Sequence, residues 1–270
     1  MRNPIAAGTF YPSDISELKK MLSSLFSKTS SMKPRADKDV LGVIVPHAGY
    51  VYSGYVAARS YNEISKKRGS TFVIIGPNHS GLGVSVSVYP KGYWITPLGK
   101  VKVDENVAKY IVDKSRYAMF DELAHLYEHS IEVQLPFLQY LFNNEFSIVP
   151  ICLMDQSEEI AKDLAKTLYS INKDIVIIAS SDFTHYEPKQ AAEKKDKLLI
   201  DAIKILEIEK FYSVLRIHNI SACGYGAIAT LMEYTKLKGG KIIFLEYKTS
   251  GDFTGDYSNV VGYASLVSVK

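Results

Sequence analysis

The chain has 270 residues, 47% of them hydrophobic and 23% charged, with a formal net charge of +3. That balance suits a globular protein with a sizeable core, and so small a charge without runs of like sign argues against nucleic-acid or membrane-surface binding. No apolar stretch reaches the ~18–20 residues of a membrane helix and the first residues lack the apolar segment of a secretory signal, so a cytoplasmic protein is expected.

Residues 27–39, "SKTSSMKPRADKD", read as a surface loop after a short helix. From there apolar runs alternate with helical spacing. Residues 40–46 form a nearly continuous apolar strand, and residues 54–66 follow with helical periodicity. Residues 71–76, "TFVIIG", are a second buried strand. Residues 84–88, 93–96 and 101–103, separated by "YPKG" and "PLGK", suggest a small antiparallel section. A helix over 104–114 has Asp104 as its N-cap, and another over 130–142 must place Pro136 at a kink or in a first turn. Residues 146–153 are a strand, 157–171 an amphipathic helix opening with "SEE", and 174–180, "DIVIIAS", a third strongly buried strand. Helices fill 188–216 and 224–237, and strands at 241–248 and 260–269 follow. The alternation predicts a single α/β domain over residues 1–270, with a central, mostly parallel or mixed sheet flanked by helices.

In such a sheet, ligands bind beyond the carboxyl ends of the strands. Three buried strands are each followed by a histidine: "PHAG" brings His47, "GPNHSG" brings His79 and "SSDFTHY" brings Asp182 and His185. The chain has six histidines, so three equivalent placements are unlike chance. Gly49, Gly76 and Gly81 beside them permit tight turns or close backbone approach, and Pro46 and Pro77 stiffen the chain. Cys223, in "SACGYGA", stands where a helix starts, and a helix N-terminus lowers a thiol's pKa. The other cysteine, Cys152, lies inside a strand and reads as buried filler. Two or three imidazoles with one thiolate or carboxylate suit iron, copper or zinc. Asp182 is placed to bond the far nitrogen of a ligand histidine, and His185 to act as acid or base over the open face. A second cluster, Glu128-His129-Ser130-Ile131-Glu132, puts Glu128 and Glu132 on one helix face; it reads either as a solvated helix entry or as support behind the site.

The order of these motifs resembles the Memo family, whose mammalian member is named as a mediator of cell motility. The resemblance is carried by "AGTFYP" at 7–12, "PHAGYVYSG" at 46–54, "GPNHSG" at 76–81, "EHSIEVQLPFL" at 128–138, "SSDFTHY" at 180–186 and "CGYG" at 223–226. It implies a microbial, archaeal member with the fold of class III, LigB-like non-haem-iron extradiol dioxygenases. It further implies that His47, His79 and Cys223 are the metal positions, with His185 and Asp182 in the same pocket. The ring-cleaving enzymes hold iron with two histidines and a glutamate. The cysteine here counts against ring cleavage and moves the preference toward copper, or toward iron in another redox role, with zinc a further candidate. A redox-active metalloprotein is the first functional expectation. The second is a peptide- or protein-binding scaffold reusing an enzyme pocket, in line with the mammalian link to phosphotyrosine peptides, and the third is metal-dependent hydrolysis. Expected partners are a small-molecule or peptide ligand and the AMMECR1-like and radical-SAM proteins associated with microbial relatives.

Overall fold

The computed structural model describes residues 1–30 and 39–270. Its strands are β1 (Val40–Val45), β2 (Thr71–Pro77), β3 (Val86–Val88), β4 (Tyr93–Thr96), β5 (Gly99–Val103), β6 (Ala118–Phe120), β7 (Ser147–Leu153), β8 (Ile175–Ser180), β9 (His185–Glu187), β10 (Lys241–Thr249) and β11 (Val260–Val269). Around them lie α1 (Ile15–Ser30), α2 (Tyr50–Glu63), α3 (Glu105–Lys114), α4 (Leu135–Phe142), α5 (Glu158–Tyr169), α6 (Lys189–Ile205), α7 (Ile208–Ile217) and α8 (Tyr225–Leu237).

The four most apolar runs form the middle of the sheet. β1, β8, β2 and β7 lie side by side in that order, all parallel. Every residue of β1, β2 and β8 is buried, as continuous apolar strands covered on both faces must be. Alternation then divides their side chains between two cores. Val43 and Val45 of β1 face the layer of α1, α2 and α4, while Ile44 faces α5, α7 and α8. Each such Val or Ile contributes about 1.5–3 kcal/mol by leaving water. Antiparallel strands complete the edges: β11 lies between β1 and β10, and β3 runs against β7. The result is a single α/β domain with a mixed sheet flanked by helices, as expected.

Local departures have physical causes. The helix expected over 54–66 starts four residues earlier, at Tyr50. Tyr50, Val51 and Tyr52 favour strands, but Tyr50 is buried with its hydroxyl on the Val133 carbonyl, and that contact overrides propensity. The expected small antiparallel section is real only for β4 and β5; β3 instead joins β7 and β6. Asp104 caps α3 by accepting the Val107 N–H, and Pro136 sits in the first turn of α4. Of the loop expected at 27–39, residues 27–30 are still helical and 31–38 lie outside the described residues.

Candidate metal centre

Because β1, β8 and β2 are adjacent and parallel, the segments that follow them emerge side by side. After β1, residues 46–49 turn directly into α2. After β2, Asn78 organises a tight turn: its Oδ1 accepts the N–H groups of Ser80 and Gly81, both at 3.0 Å, and Gly81 takes φ +68°. His79 is thereby held at the sheet edge. Gly76 is required because a side chain there would collide with Ser130. Gly49 carries no such constraint: its φ is −54° and an added Cβ would meet only ordinary contacts, contrary to the expectation of a glycine-dependent turn.

Cys223 arrives from the segment before α8. Gly224 packs so tightly on the Ser180 carbonyl that no side chain fits, which draws Cys223 over the end of β8. Gln156 fixes the same segment from the β7 side, donating to the Cys223 carbonyl and accepting the Gly226 N–H, each at 2.8 Å. Cys223 Sγ comes within 3.1 Å of His47 Nε2. The ligand atoms of His47, His79 and Cys223 all lie within 4.8 Å of one another, a span that one ion can bridge.

The ring nitrogens are oriented by their partners. Ser180 Oγ donates its single hydrogen to the Ser130 carbonyl at 2.7 Å and accepts from Gln134 Nε2 at 2.9 Å. It can therefore only accept at His47 Nδ1, 2.9 Å away, so that nitrogen carries the proton and Nε2 presents a lone pair to the cysteine. His79 Nδ1 lies 2.9 Å from Glu128 Oε1, an acceptor, so its Nε2 is likewise free to ligate. The expectation that Asp182 orients a ligand ring is corrected. Asp182 accepts the backbone N–H of His47 at 2.8 Å, and the ring-orienting role belongs to Ser180 and Glu128.

Electrostatics favour the ligating form at His47 but not at Cys223. Burial and the neighbouring His79 push His47 down to about 3, keeping its imidazole neutral as a ligand must be. For His79, burial pulls the pKa down, but the hydrogen bond and charge of Glu128 outweigh it and the net shift is upward. Burial raises Glu128, yet its bonds to His79 prevail and hold the carboxyl at about 2. The thiol of Cys223 is pushed up, by burial first and by Asp182 second, which overturns the expected helix-terminus depression. Two N–H groups around the start of α8 are already occupied, Gly224 by Ser181 Oγ and Gly226 by Gln156. The Asp182 N–H reaches Sγ at 3.3 Å. A bound cation supplies what the helix does not, since coordination deprotonates a thiol outright.

Glu128 and Glu132 are both fully buried, so the solvated helix entry is not what the chain builds. The segment before α4 is a 3-10 turn at Glu132–Gln134, and the two carboxylates point to different tasks. Glu128 holds His79. Glu132 accepts from Arg2 at 2.5 Å, from the N–H groups of Ile5 and Ala6 and from Tyr11, tying down residues 2–11. That strap lays Phe10 on the ring of His129, centroids 4.3 Å apart, and His129 stacks in turn on His79 at 4.8 Å. His129, half-buried and pushed down to about 4, forms a second potential ligand group with His79 and Glu128. Its place directly after Glu128 is the one signal of this role in the sequence.

His47, His79, His129, Asp182, His185 and Cys223 all border one cavity of about 600 Å³. His185 sits at its rim with Nδ1 2.9 Å from the Ser221 carbonyl, so the proton lies on Nδ1 and Nε2 is left as an acceptor. Tyr186, 76% exposed, stands beside it. Cys152 is fully buried in β7, as expected.

Comparison with known proteins matches this architecture to one family. A family model described as "Memo-like protein" matches residues 2–267. A MEMO1 family protein of Thermoplasma acidophilum is 51% identical over 268 residues, covering 99% of this chain and 98% of its own. Similar proteins from Desulfurococcus amylolyticus, at 49%, and Nitrosopumilus maritimus, at 45%, each cover 98% of both chains. These relatives come from archaea, in keeping with the archaeal member expected from the motifs, and over this length and identity the chain belongs to the Memo family.

Proposed function

We propose that this protein is a redox-active metalloprotein, an oxidoreductase that holds iron or copper through His47, His79 and Cys223. One observation carries the reading: two imidazoles have their Nδ1 atoms held by Ser180 and Glu128, which leaves both Nε2 atoms free beside one thiol. Neutral imidazole with thiolate suits Cu(I), Fe(II) and Zn(II). Bound there, iron or copper would supply one-electron chemistry to a small molecule in the cavity. A thiolate in the position of the single carboxylate ligand speaks against ring cleavage. His185 takes a proton from the ligand at Nε2, while Ser221 keeps the ring turned toward the cavity. Asp182, whose carboxyl burial pushes upward, anchors the backbone of His47 and borders the same space.

The test is elemental analysis and X-ray absorption on untagged protein. Near-stoichiometric iron or copper with mixed nitrogen and sulfur ligation is expected, and it should vanish in His47→Ala and Cys223→Ser. Metal content unchanged in both variants overturns the reading. Stoichiometric zinc alone overturns its redox part. A pocket kept only for peptide recognition gives saturable binding that persists in both variants.

A further inference from the structure

The metal-centre cavity has a neighbour across Phe10. A smaller cavity of about 310 Å³ shares Phe10 with it and runs beside residues 8–13 of the N-terminal strap. This in turn shares Pro12, Glu17, Met21 and Val51 with a groove of about 900 Å³. Val51 stands at the joint, on the first turn of α2 and 59% exposed.

The groove follows one face of α1. Glu17, Met21, Ser24 and Lys28 line it at helical spacing, so it extends about 16 Å from the Glu17 end to the Lys28 end. Its floor is apolar, with Met21, Leu25, Val51, Tyr55 and Phe253. Much of that wall is helix, whose backbone hydrogen bonds are spent internally, so an extended peptide would find few main-chain partners there, whereas a hydrocarbon chain needs none. Charge along the groove is uneven. Asp252 is already paired with Lys189 at 2.6 Å. Lys20, Lys28 and Lys248 line the groove with no carboxylate partner among the described residues.

We propose that the three cavities form one trough for an elongated anionic amphiphile. Its polar, reactive end lies at His47, His79 and Cys223, its chain passes Val51 and Lys248 and lies along α1, and its acidic far end meets Lys28. This substrate class rests on the metal reading above.

Two hydroxamates test it by calorimetry on zinc-loaded protein: acetohydroxamate, which reports only the metal, and a twenty-carbon hydroxamate ending in a carboxylate, long enough to pass Val51 and follow the ~16 Å along α1. The long probe should bind at least about tenfold tighter, the gain coming from buried methylenes. Val51→Arg, at an exposed position, should abolish that gain and leave acetohydroxamate unchanged. Equal affinity of the two probes, or a gain that survives Val51→Arg, overturns the trough. Dodecanedioate on metal-free protein separates the two ideas: it should bind, and the double variant Lys28→Glu with Lys248→Glu should weaken it at least about fivefold. No dodecanedioate binding, or binding indifferent to that variant, overturns the groove. Failure of acetohydroxamate alone overturns only the metal reading.

Discussion

Glu128 grips His79 at two points: one carboxylate oxygen faces the ring Nδ1 at 2.9 Å, and the other accepts the backbone N–H at 2.6 Å. A third bond, from the Ser130 N–H at 2.8 Å, holds the carboxylate itself. Side chain and main chain of the histidine are thus fixed by one buried anion, and that anion raises the basicity of the ring it orients.

Glu128→Gln keeps the shape and removes the charge. Metal affinity should fall about 10–100-fold, as is usual when the partner of a ligand histidine is weakened. The His79 pKa should fall with it. Competition with a chromophoric chelator measures the first effect and proton NMR of the metal-free protein the second. Unchanged affinity would remove Glu128 from the site.

Ser180→Ala takes away the hydrogen-bond partner of His47 Nδ1 and one of the acceptors of Gln134. The orphaned buried donors should cost about 1–3 kcal/mol of stability. Metal affinity should drop as well, because nothing then selects the His47 tautomer. Urea denaturation and metal competition on the same preparation separate the two losses.

Glu132→Ala strands Arg2, which is 4% exposed and also stacks on Trp94. Breaking a buried pair from one side typically costs about 3–5 kcal/mol. The strap should loosen with it, and Phe10 should leave His129. Increased hydrogen exchange confined to residues 2–11 under native conditions is the expected signature.

Asp196 provides the pH dependence. It is buried beneath β11, accepts from Thr184 and Tyr247, and burial raises its carboxyl to about 6. A carboxyl of higher pKa in the folded state than in the unfolded one favours folding when protonated. Its contribution is therefore full below pH ~4 and is lost as pH rises toward 6 and above. Between pH 7.5 and 4.5 wild type should gain about 2 kcal/mol relative to Asp196→Asn, which preserves the shape and cannot titrate. Parallel denaturation curves at the two pH values give the difference directly; no relative change would refute the assignment.

His47, His79 and Cys223 could be read in the sequence because each stands at a boundary that the apolar pattern makes visible. What holds them could not. Ser180 is 133 residues from His47 and Glu128 is 49 from His79, and no local pattern marks such pairs. The state of the Cys223 thiol is illegible for a related reason: a helix start is evident in sequence, but the groups that bury the sulfur and occupy the N–H groups beside it come from elsewhere. Likewise β6 and β9 have three residues each, too short for alternation to register, and β3 finds its partner only through the sheet.

The place of β11 has a consequence for biogenesis. β1, which delivers His47, is flanked on one side by β8 and on the other by residues 260–269, and Cys223 follows His47 by 176 residues. A nascent chain on the ribosome therefore exposes its first histidine long before it owns the thiol or the strand that seats it. If the cluster takes up a metal, loading would be a post-translational event by construction, and a chain truncated ahead of β11 should emerge without a seat for His47.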